Sequence, residues 1–82
     1  MLSSAVVPGS PRVLIVDDEP SICSALVQVL RRAGLDPIVA PGPHEADALL
    51  SVSIAAMLLD LRLPDMRGDA FYHLATARFP HL

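Results

Sequence analysis

The sequence predicts an α/β protein with a parallel three-stranded sheet in the order 2-1-3, threaded by helices in one βαβαβα passage. Three observations carry this. First, Ile54-Ala55-Ala56-Met57-Leu58-Leu59 is an unbroken apolar run of strand length that ends in Asp60. Such a run reads as a strand buried on both faces, as in a parallel sheet covered by helices. Second, Arg12-Val13-Leu14-Ile15-Val16 repeats the pattern and ends in Asp17-Asp18-Glu19. Third, segments of helical spacing alternate with these runs, and right-handed crossovers then make the strands parallel.

Each element has its own local reason. Met1 to Pro11 holds serines, Gly9, Pro8 and Pro11 and reads as a flexible leader, leaving residues 12–82 as the folded part. After the first strand, Pro20 suits the first turn of a helix, with Asp18 and Glu19 favouring the amino end of its dipole. Ile22, Leu26, Val29, Leu30 and Ala33 recur at helical spacing, Arg31 and Arg32 occupy the last turn, and Gly34 marks the stop. Leu35 to Ala40 is a second strand, placed at a sheet edge because Pro37 cannot donate to a ladder. Pro41-Gly42-Pro43 turns the chain into a short helix, Glu45 to Leu50, with Ala46, Leu49 and Leu50 on its apolar face. The strand Ile54 to Leu59 follows. Gly68 opens a third helix with Phe71, Leu74, Ala75 and Arg78 along one side, and Phe79-Pro80-His81-Leu82 breaks it.

Composition bounds the function. Eighty-two residues make one small domain, near the size where burial only just offsets chain entropy. Apolar residues make up 52% and aromatics 4%, so the core is built from Ala, Val, Leu and Ile. A net charge of -3 argues against a nucleic-acid surface, and every basic residue is Arg, with no Lys anywhere. The single cysteine, Cys23, cannot form an internal disulfide, and no signal peptide or membrane-length stretch is visible. A cytoplasmic chain is the reading these features support. Cys23 reads as a small packed side chain. His44, His73 and His81 share no ligand spacing and read as solvated, and Met57 and Met66 read as packing.

The chemistry is concentrated at the strand ends. In open parallel sheets, reactive groups sit just beyond the carboxyl ends of the strands, where Asp17, Asp18 and Asp60 fall. Taken singly, Asp17 to Glu19 reads as a helix cap and Asp60 as a turn residue. Together they place several like charges on one rim, an arrangement that calls for a neutralising cation. Hard oxygen donors of this kind suit Mg²⁺, which takes one or two carboxylates together with waters and a phosphate.

These residues resemble a family, the receiver domain of bacterial two-component response regulators. The likeness lies in Val13-Leu14-Ile15-Val16-Asp17-Asp18-Glu19-Pro20 and in Leu58-Leu59-Asp60-Leu61-Arg62-Leu63-Pro64-Asp65-Met66-Arg67-Gly68, and it extends over Arg12 to Leu82. The resemblance implies the amino-terminal part of a flavodoxin-like receiver fold, from strand 1 to helix 3. It implies a phosphorelay role, not an enzymatic one: in the full-length form, Asp60 is the phospho-acceptor, fed by a sensor histidine kinase or phosphotransfer protein, while the 82-residue segment alone is expected to bind Mg²⁺ weakly and to be poorly competent or incompetent for stable phosphorylation. It assigns Mg²⁺ to Asp17, Asp18, Asp60 and the backbone carbonyl of Arg62, with Pro64 and Gly68 shaping the loop. Arg62 and Arg67 flank the acidic site, where either can meet a phosphate or a partner, and Arg67 reads equally well as a plain surface residue.

Departures from the family pattern are specific. A family receiver has roughly 120 residues, an ordinary domain size, with five strands and five helices. The match here stops where a fourth strand begins. The family's phosphate-binding Ser/Thr has no counterpart, since the only Thr is Thr76, and its Lys has none either. An alternative is therefore a degenerate receiver that pairs with other proteins without accepting phosphate. The outer edge of the third strand, bare in this chain, also implies self-association. An aspartyl phosphohydrolase is disfavoured, because Asp60 is followed by Leu61 and Arg62 where that class carries a second Asp.

Overall fold

The computed structural model describes residues 9–82. Its elements are β1 (Arg12–Val16), α1 (Pro20–Arg32), β2 (Asp36–Ala40), α2 (Pro43–Leu49), β3 (Ile54–Leu59) and α3 (Gly68–Arg78). The leader read over Met1–Pro11 falls mainly on residues 1–8, which lie outside the described residues. Pro11 itself already serves the sheet, its carbonyl accepting the Asp36 N–H at 2.8 Å.

All strands are parallel, in the order β2-β1-β3. A strand with neighbours on both edges and helices over both faces is apolar along its buried length. That is β1, whose Leu14, Ile15 and Val16 are 0% exposed. At the edge, β2 pairs Pro37 with Val13, where an edge strand tolerates the missing N–H. It starts one residue later than the pattern suggested because Leu35 is taken by the end of α1. Gly34, at φ +83, lets its own N–H reach the Arg31 carbonyl while the Leu35 N–H reaches that of Leu30, both at 3.0 Å. This closes the helix with a left-handed glycine turn and satisfies two orphan carbonyls. Helix α2 begins earlier than Glu45, since Pro43 is preset for a first helical position and the Gly42 carbonyl accepts the Ala46 N–H at 3.0 Å.

Leu14 and Val16 of β1, Ala40 of β2, Ala46 and Leu50 of the α2 region, Ile54 of β3, and Phe71 and Ala75 of α3 form one core cluster. Met57, Leu59, Met66, Phe79 and Leu82 pack against it. Phe71, at 2% exposure, is its only fully buried aromatic residue, and truncating such a ring costs about 3–5 kcal/mol. An Arg78–Asp47 ion pair joins α3 to α2 across the surface.

Three expectations need correction. The strand β3 is not buried on both faces: Ile54 is buried, but Ala55 and Ala56 are exposed and Leu58 is 39% exposed. The reason is coverage, because α2 and α3 shield one face whereas α1 lies chiefly against β2. The same uneven coverage leaves an apolar patch on α1, as expected of a first helix without a helical neighbour. Cys23 is buried and Leu26 and Leu30 half-buried, while Ile22 is 46% and Val29 59% exposed. Leu49 and Leu74, read as core-facing, are 39% and 57% exposed. Finally, His81 is not simply solvated, since its Nε2 lies 2.7 Å from the Ile54 carbonyl. Among the described residues no helix is long and apolar enough to cross a membrane.

Candidate functional site

The site is made by two ladders that each run one residue past their strand. The Asp17 N–H donates to the Ala40 carbonyl at 3.1 Å, and the Asp60 N–H donates to the Val16 carbonyl at 2.9 Å. Backbone pairing therefore holds Asp17 and Asp60 side by side before any side-chain contact is counted. Asp18 follows Asp17 into the turn. One carboxylate oxygen from each of Asp17, Asp18 and Asp60 lies within 4.8 Å of the others.

Two local turns aim the carboxylates. The Glu19 N–H donates to Asp17 Oδ1 at 2.9 Å, and the Arg62 N–H donates to Asp60 Oδ1 at 3.0 Å. Both are turns in which an Asp side chain accepts from the backbone two residues on. Each fixes one oxygen and leaves the other for a ligand. Beyond Asp60, the chain forms a small loop closed by an antiparallel bridge between Arg62 and Arg67, with Pro64 inside it. Gly68, which is buried, then donates its N–H to the Leu61 carbonyl at 3.0 Å. A Cβ there would collide with the Asp60 carbonyl oxygen and sit 2.7 Å from Leu61 Cα. Only glycine lets the start of α3 press on the backbone that carries Asp60.

Electrostatics leave the three carboxylates without a counter-charge. Among the described residues, the ion pairs are Arg12–Asp36, Arg67–Asp69 and Arg78–Asp47, and none reaches Asp17, Asp18 or Asp60. A separation of 4.8 Å is well inside the Debye length of about 8 Å at physiological ionic strength, so salt does not remove their repulsion. An all-oxygen donor set with excess negative charge fits a divalent hard cation. Arg67 is held by the exposed Asp69, which raises the Arg67 pKa and lowers that of Asp69 through their hydrogen bond.

One contact was not legible beforehand. The Cys23 thiol donates to the Asp17 carbonyl at 3.3 Å, tying α1 to the turn that carries the acidic pair. Burial pushes this thiol above its ordinary value of 9.0, and the Asp17 and Asp18 charges push the same way. Cys23 is thus the packed, unreactive side chain its composition suggested. The partner atom is a backbone carbonyl six residues away, for which no sequence signal exists.

A parallel α/β sheet with carboxylates gathered at the ends of β1 and β3 is the architecture of a receiver-type module. Comparison with known proteins agrees, although no family model matches the sequence. The chain is 38% identical over 72 residues to the protein-glutamate methylesterase/protein-glutamine glutaminase 1 of Anaeromyxobacter dehalogenans strain 2CP-C, covering 87% of this chain and 21% of that protein. It is 40% identical over 58 residues to the DNA-binding response regulator MtrA of Mycolicibacterium smegmatis, covering 70% of this chain and 25% of that one. The chain thus spans about a fifth to a quarter of the curated relatives it matches. Among solved structures, it aligns with a CheY-like response regulator receiver domain protein from Methanospirillum hungatei JF-1 at a TM-score of 0.80 and 29% identity, over 88% of this chain and 58% of that one. The chain corresponds to the amino-terminal portion of a CheY-like response-regulator receiver domain.

Proposed function

We propose that the chain acts as a receiver module in phosphorelay signalling, with Asp60 as phospho-acceptor and Mg²⁺ held by Asp17, Asp18, Asp60 and the Arg62 backbone carbonyl. The observation that supports this is the convergence of three carboxylates within 4.8 Å at adjacent strand ends, with no ion pair to any of them among the described residues. In this reading the donor is a phosphohistidine on a sensor histidine kinase or phosphotransfer protein. The free oxygen of Asp60 forms a bond to phosphorus, the phosphorus–nitrogen bond breaks, and the imidazole nitrogen keeps the electron pair. Bound Mg²⁺ supplies charge neutralisation for the phosphoryl oxygens, the main requirement of such a transfer.

The chain's own groups orient the reactants. The Arg62 N–H fixes Asp60 Oδ1 and so presents the other oxygen for attack. The Glu19 N–H does the same for Asp17. Pro64 and Gly68 shape the loop that carries Arg62. The module accepts phosphate in the cytoplasm and does not turn over substrate, so it is not an enzyme.

The test is Mg²⁺-dependent mass gain of one phosphoryl group with a small phosphodonor, read beside amide shifts at Asp17 and Asp60 on Mg²⁺ titration. Labelling should vanish in Asp60→Asn and with a chelator present. It should also be slow, because the Lys and Ser/Thr that the family supplies have no counterpart in this chain. Losing one preorganised donor costs about 10²–10³ in rate. Label that persists in Asp60→Asn would overturn the assignment, and so would the absence of any Mg²⁺-induced shift at the carboxylates.

A further inference from the structure

We propose that the groove between α2 and α3 binds a small organic cation, an ammonium or guanidinium group carried on an apolar body. A cavity of about 510 Å³ lies there, its apolar lining supplied by Pro43, Met66, Phe71 and Leu74. Its polar groups are few: His44 and Asp47 from α2, and Asp65 from the loop after β3. An apolar cleft of this size with a handful of polar groups has the make-up of a small-molecule site.

The groove follows from how α3 meets α2. Phe71, Leu74 and Arg78 recur at helical spacing, so α3 turns one stripe toward its neighbour. That stripe is used unevenly. Phe71 is 2% exposed and belongs to the core, and Arg78 pairs with Asp47 of α2. Leu74 lies between them and is 57% exposed. Across from it, α2 presents the short ring of Pro43 together with His44 and Asp47. A large apolar side chain thus faces a gap walled by two helices. Because α2 packs on β1 and β2, this gap lies on the inner side of α3, away from the outer edge of β3.

Charge in the lining selects the ligand. Asp47 gives one oxygen to Arg78, and Asp65 is in no ion pair among the described residues. No arginine lines the cavity, and His44 offers a ring nitrogen that accepts a hydrogen bond while neutral. An anion would be repelled by the two carboxylates, whereas an ammonium or guanidinium gains charge-assisted hydrogen bonds from them. The apolar body is needed as well, since Met66 and Leu74 reward only the removal of apolar surface from water. Asp17, Asp18 and Asp60 take no part in this lining, so the groove is separate from the acidic site.

Tryptamine, an indole on an ethylammonium arm, is the probe, titrated into the 82-residue chain and followed by amide NMR shifts. Scaled by its number of atoms, its dissociation constant should be about 1 mM. Shifts should gather at Asp47, Met66 and Leu74 and saturate. Tryptophol, with a hydroxyl in place of the ammonium, should bind about fivefold more weakly, and indole-3-propionate more weakly still. Asp65→Asn should bring tryptamine toward the affinity of tryptophol. Leu74→Lys should abolish binding while keeping a wild-type circular dichroism spectrum. Val52→Lys adds the same charge at a residue 83% exposed and outside the groove, and should bind like wild type. Shifts that never saturate would overturn the proposal, as would shifts gathered at Asp17, Asp18 and Asp60 instead. So would indole-3-propionate binding as tightly as tryptamine, or unchanged affinity in both Asp65→Asn and Leu74→Lys.

Discussion

Replacing Gly68 by alanine tests whether the approach of α3 to the Asp60 backbone is required. The added methyl would overlap the Asp60 carbonyl oxygen and lie 2.7 Å from Leu61 Cα and 2.9 Å from the Asp60 carbonyl carbon. All three atoms belong to the backbone, so no side chain can rotate away. The start of α3 and the end of β3 must separate instead, stretching the 3.0 Å Gly68–Leu61 hydrogen bond. Overpacking of this kind costs about 1–3 kcal/mol, and an unyielding backbone places it near the upper end. At about 4–8 °C per kcal/mol for a domain this small, the melting temperature should fall by about 12 °C or more. Gly34→Ala is the matched control. Its φ of +83 strains an alanine by about 1–2 kcal/mol, but nothing lies within 4 Å of the new methyl and the acidic site is untouched. Thermal unfolding and Mg²⁺ titration on the same samples separate the two. Gly68→Ala should lose both stability and Mg²⁺ affinity, and Gly34→Ala only some stability. If Gly68→Ala melts within about 4 °C of wild type, a shift of about 1 kcal/mol, with unchanged Mg²⁺ affinity, the reasoning fails.

Other consequences are more local. Cys23 should react slowly with an alkylating reagent at neutral pH and at the rate of a free thiol once the chain is unfolded, because burial and the neighbouring carboxylates hold it protonated. Its folded pKa is raised, so the linked stability is present below the ordinary value of 9.0 and declines as pH climbs past it; a denaturation midpoint flat from pH 8 to about 10 would contradict this. Asp69 should titrate below its ordinary 3.8 by carboxyl NMR and return toward that value in Arg67→Ala. The pKa is depressed, so any linked stability is present above 3.8 and lost as pH falls through the folded value. The pair is fully exposed, so the melting temperature should hardly move.

Much of the fold follows from neighbours along the chain. The apolar runs ending in Asp17 and Asp60, the helix stop at Gly34 and the edge signalled by Pro37 are short-range signals, and each marks its element to within a residue or two. The likeness of the two acidic segments to receiver domains has the same origin, since those residues are contiguous. Even the two Asp turns that orient the site span only two residues each.

Local signals along the chain therefore define the list of elements, their order in the sheet and the set of carboxylates. Tertiary structure decided the rest, because burial depends on what lies across a face and not on what precedes a residue in the chain. Six apolar residues in β3 look the same whether one face is covered or both, and only the placement of α1 against β2 shows that Ala56 and Leu58 are left open. The apolar stripe of α1 likewise cannot reveal how far Val29 is left open, at 59% exposure. The 4.8 Å grouping of Asp17, Asp18 and Asp60 required the register of β1 against β3, in which the Asp60 N–H meets the Val16 carbonyl. The need for glycine at position 68 came from the close approach of two backbones, a contact with no signature in local propensity.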